Sequence, residues 1–137
     1  MLAQNFKSAA DLKISEEQKD ALIKTLVLLE TGKLHHFAVT PEIEENEFAI
    51  DRGYMFSGDF NMAYFHLKHS CGTAACIAGT AELISGIKFV GRDRTAALDG
   101  LFYGGDLELS SITPAQAATA LRSYLTTGDP RWDLAVS

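Results

Sequence analysis

The sequence predicts a mostly α chain: a small single-domain helical fold built on a central small-residue helix, with a minor short β piece allowed in the connections. Three observations lead there. Two segments, near 16–31 and 114–127, pair a helix-start signal with an apolar stripe at helical spacing and a glycine stop. A third, from Cys71 to Ser85, carries a single charge, Glu82, among Ala, Gly, Cys, Ile, Thr and Leu. The length, 137 residues, suits one domain that buries roughly two thirds of its unfolded surface.

The first element is a lead-in. Met1 to Lys13 is weakly patterned and reads as a loose segment or short turn. Ser15 is then a natural N-cap, with Glu16 and Glu17 in the first turn and Gln18 at the capping-box position. Leu22, Ile23, Leu26, Val27 and Leu29 form the expected apolar stripe, and Gly32 the stop.

Between 33 and 60 the period is lost. Leu34 to Val39 fits a short strand or a turn, and Thr40-Pro41 breaks any helix. Glu42, Glu44, Glu45, Glu47 and Asp51 make an acidic patch. The aromatic and Met set Phe56, Phe60, Met62, Tyr64 and Phe65 follows, and burial statistics favour the core for it over an interface. Asp59 is placed to cap a short helix through Phe60, Tyr64 and Phe65.

The small-residue helix is expected to start between Ser70 and Thr73 and to stop at Gly86. A helix apolar nearly all round is central in its fold. Gly79 inside it costs about 1 kcal/mol against Ala, which close packing of a neighbour would offset. Next, Arg94 to Leu101 is a candidate short helix, with Leu101-Phe102-Tyr103 as its anchor. Finally Thr113-Pro114-Ala115-Gln116 combines a cap, a proline at the first helical position and a capping-box glutamine. Ala117, Ala120, Leu121, Tyr124 and Leu125 make the buried face, and Gly128 ends the helix before a short tail at Trp132.

Charge bounds the function. The formal net charge is −6, with 18 acids against 12 Lys and Arg, and no basic run exists. Direct binding of duplex nucleic acid needs clustered cations and is not expected. No apolar run reaches the roughly 20 residues that span a bilayer, and the N-terminus lacks the pattern of a secretory signal. With two cysteines only, the expectation is a reduced, cytoplasmic protein. No cofactor is implied, since phosphate-binding and dinucleotide-binding glycine motifs are absent.

Cys71 is the candidate for chemistry. A thiol at a helix N-terminus meets unsatisfied amides and the positive end of the dipole, which stabilise thiolate. His66 and His69 stand upstream as candidate bases. The competing reading is a small buried cysteine beside a glycine needed for chain entry. His66-x-x-His69-x-Cys71, with Cys76 beyond, also contains zinc-ligand types, but its spacing matches no standard zinc pattern and no metal ligand is assigned. Glu42, Glu44, Glu45 and Glu47 are the candidate binding residues, as a docking surface for a basic partner or as a solvated loop.

Cys71-Gly72-x-Ala74 followed by a helix resembles the nucleophile segment of bacteriocin leader peptidases and, more loosely, of papain-like proteases. Those families supply their histidine downstream. Here His35, His36, His66 and His69 all precede Cys71, so the activity is not carried over. A wider resemblance joins Phe60-Asn61-Met62, Cys71 to Gly79, Leu101-Phe102, and Thr113 to Gly128 with Trp132. Together they resemble a family of small uncharacterised bacterial and phage proteins, which implies a shared fold and no activity. The functional expectation is a non-enzymatic protein-binding or regulatory module whose partner is another protein. The alternatives are a cysteine-dependent hydrolase or transferase using Cys71, and a small metal-binding domain.

Overall fold

A computed structural model describes residues 6–36, 58–62, 67–69, 72–87, 89, 96–103 and 111–136. The chain is mostly helical, as its sequence predicts. Helices α1 (Ala9–Leu12), α2 (Glu16–Glu30), α3 (Ile77–Ser85), α4 (Asp99–Tyr103), α5 (Pro114–Thr127) and α6 (Trp132–Ala135) are joined by four short strands. These are β1 (His35–His36), β2 (Asp59–Phe60), β3 (Leu67–His69) and β4 (Gly72–Ala75).

The two long helices start as their sequences require. Ser15 Oγ accepts the Gln18 amide at 3.0 Å, and Gln18 Oε1 accepts the Ser15 amide at 3.0 Å. Thr113 and Gln116 repeat this reciprocal capping box at the start of α5, with Pro114 in the first turn. Each box satisfies two backbone donors that a helix start leaves open. At the end of α2 the Gly32 amide donates to Leu29 O and the Lys33 amide to Leu28 O. Gly32 sits at φ +73°, so this is a Schellman close with glycine where a side chain would be strained. The lead-in is more ordered than its pattern suggests: α1 is one helical turn capped by Ser8, whose Oγ accepts the Asp11 amide at 3.1 Å.

Helix α2 packs against both α3 and α5. Its buried face is Gln18, Ala21, Leu22, Thr25, Leu26 and Leu29, an i, i+3, i+4, i+7 pattern. The expected stripe shifts accordingly. Val27 is 37% exposed and Ile23 only half-buried. Two polar residues take their places because each has a local partner: Thr25 Oγ1 donates to Ala21 O at 2.9 Å, and Gln18 serves the capping box. On α5 the buried face is the expected one, with Ala118 added. Arg122 of α5 and Glu30 of α2 close the edge of that interface with two hydrogen bonds of 2.6 Å. The Arg122 guanidinium also stands 5.5 Å from the centre of the Phe6 ring, within cation–π range.

The strands form one sheet in the order β1-β2-β4-β3. β1, β2 and β4 run parallel, and β3 is antiparallel to β4. Asp59 therefore opens a strand and caps no helix, and Phe60 is buried in the sheet. A two-residue strand is too short for its period to be read from sequence. Phe60 and Met62 lie in the core, while Phe56, Tyr64 and Phe65 fall outside the described residues.

The segment after α3 also joins the core. Phe89 and Phe102 meet edge to face at 5.8 Å, a favoured aromatic geometry. The candidate helix near 94–101 is observed as a 3-10 turn, Ala96–Leu98, running into α4. Leu101 and Phe102 anchor it as expected. Trp132 Nε1 donates to Gly100 O at 3.0 Å and ties α6 to α4. Among the described residues no helix is long and apolar enough to cross a membrane.

Candidate functional site

The small-residue helix starts later than its composition suggests. Gly72 to Ala75 is strand β4, and α3 begins at Ile77. The cause is pairing. Leu67, Lys68 and His69 of β3 pair with Ala74, Thr73 and Gly72 of β4, while Asp59 and Phe60 of β2 pair with Ala74 and Ala75 on the other side. Gly and Ala are poor strand formers by themselves, so it is the two neighbouring strands that decide the matter.

The residue at the helix entry is thus Cys76. Its backbone is extended, at φ −79° and ψ −170°, and its Sγ accepts the Gly79 amide at 3.4 Å. Sulfur here takes the part that a hydroxyl oxygen takes in α2 and α5. Cys76 is 3% exposed. Around it stand Asn61, whose amide donates to Ala75 O at 3.0 Å, and Thr80, one turn along α3. Both are buried. Among the described residues the Thr80 hydroxyl has no hydrogen-bond partner. Every residue from Ile77 to Glu82 is buried, and Leu83, Ile84 and Ser85 are half-buried, so the first two thirds of the helix are enclosed. Its single charge, Glu82, turns inward, and its Oε2 accepts the Phe89 amide at 2.5 Å. That contact fixes the chain leaving α3, whose end is set by Gly86 at φ +76°.

The sequence-derived candidates distribute as follows. His69 is the last residue of β3 and pairs with Gly72. It is on a strand and not on a helix. Cys71 and His66 lie outside the described residues, as do Glu42, Glu44, Glu45 and Glu47. What the register does establish is the distance from Gly72 to the helix. Four strand residues at about 3.3 Å each put the start of β4 roughly 13 Å from the Cys76 cap. A helix dipole acts within its first turn, and Cys76 stands at that turn. His35 and His36 form β1 with exposed side chains. Among the described residues no group of three or more His, Cys, Asp or Glu is arranged to hold a metal.

Three features of this region escape sequence reasoning. Cysteine is not among the residues that announce a helix cap, so the Cys76–Gly79 contact has no signal beyond the i, i+3 spacing. The inward turn of Glu82 depends on Phe89, seven residues away in an irregular segment. The burial of Asn61 depends on β2 lying beside β4.

No protein-family model, curated protein or solved structure matches this chain.

Proposed function

We propose that this chain is a non-enzymatic protein-binding or regulatory module of a bacterium or phage, acting through its acidic surface on a basic protein partner. The observation that carries this reading is the register of β3 on β4. It makes Gly72 to Ala75 a strand and puts the N-terminus of α3 one strand's length beyond Gly72. The physical support for a thiolate at Cys71 came from that N-terminus, and it now bears on a sulfur that is buried and already accepts a backbone amide. Supporting the binding reading is the charge of the sequence, which is a means of meeting other molecules.

The charge points to the partner's chemistry. Acids outnumber Lys and Arg by 18 to 12, and Glu42, Glu44, Glu45 and Glu47 fall within six residues. Complementary charge steers association and sets specificity. The same balance argues against duplex nucleic acid as a direct ligand.

The test is recovery of a basic protein from an extract of the native host by the tagged chain, alongside a variant with Glu42, Glu44, Glu45 and Glu47 all changed to Gln. The expected result is a partner held by the parent chain, released as salt is raised past physiological strength and held poorly by the variant. A parent chain that stays monomeric and recovers nothing, or a partner held equally by both, overturns the proposal.

A further inference from the structure

We draw no further inference here: the strongest candidate, the buried turn at the start of α3 where Cys76 and Thr80 stand beside Asn61 at the end of β2, joins a helix N-terminus to a lone cysteine, and nothing among the described residues aims the Thr80 hydroxyl at that turn or shows what would occupy it.

Discussion

Cys76 Sγ accepts the Gly79 amide at 3.4 Å, so a thiol acts as the N-cap of α3 at a buried helix start. Cys76→Ala removes this side-chain acceptor for that amide and should cost about 0.5–2 kcal/mol. Cys76→Ser keeps an acceptor at the same place and should melt above the alanine variant. Thermal unfolding of the three proteins checks the order; an alanine variant as stable as the parent rules out a capping role.

The burial of Cys76 also predicts its reactivity. In a Cys71→Ser chain the remaining thiol should resist iodoacetamide at pH 7 and react fully in denaturant. Rapid native alkylation of that variant contradicts the enclosed start of α3. The same assay on the parent reports Cys71 by difference: a native rate no faster than that of a free thiol leaves the cysteine-enzyme alternative without a nucleophile.

Gly79 is enclosed at the third position of α3. Gly79→Leu should overpack the junction of α3 with its neighbours and destabilise by on the order of 1–3 kcal/mol or more. For a domain of this size that is a fall in Tm of roughly 3–12 °C. An unchanged Tm sinks the claim that this helix is tightly packed at Gly79.

Tyr124 is 2% exposed and its hydroxyl makes no hydrogen bond among the described residues. Tyr124→Phe deletes a buried polar atom and orphans no partner, so stability at neutral pH should hold or rise by up to about 1 kcal/mol. Burial pushes the Tyr124 hydroxyl up to about 12, above the ordinary tyrosine value of about 10. The folded state therefore keeps a proton that the unfolded state releases. Stability should fall as pH rises from about 10 toward 12, and the phenylalanine variant should lack that component. A marked loss of Tm on Tyr124→Phe at pH 7 would mean that the hydroxyl holds an ordered water.

Arg122 clamps Glu30 across α5 and α2, and its hydrogen bonds hold the Glu30 carboxyl below the usual glutamate range. About a third of each side chain reaches water, so screening keeps the contribution small. Glu30→Gln should cost about 0.5–1 kcal/mol. The carboxylate is favoured in the folded state, so its contribution is complete above the ordinary glutamate value, about 4.3. It is lost as pH falls through the lowered one. Acid unfolding of the variant should accordingly be shallower, and the gap between the two chains should narrow in high salt. A gap that survives both low pH and high salt assigns the effect to packing instead.

The parts of the fold that were legible are those decided within a few residues. Ser15 with Gln18, and Thr113 with Gln116, place their own helix starts, because a capping box closes inside four residues. Gly32, Gly86 and Gly128 all adopt positive φ at helix ends, and that preference belongs to glycine itself. The buried face of α5 follows from the period of Ala and Leu. On α2 the same reasoning misplaced Val27 and passed over Thr25, since a polar residue that bonds its own backbone can be buried without penalty.

By itself, then, the sequence determined the helical class, both long helices with their caps, and an enclosed small-residue helix ending at Gly86. Tertiary structure decided where that helix begins. Gly72, Ala74 and Ala75 are poor strand formers by themselves, and pairing with β2 and β3 makes them a strand. This puts the helix entry at Cys76, a buried cap. The difference lies in sequence separation: a capping box closes within one turn, whereas β4 exists only because residues 59–60 and 67–69 lie on either side of it.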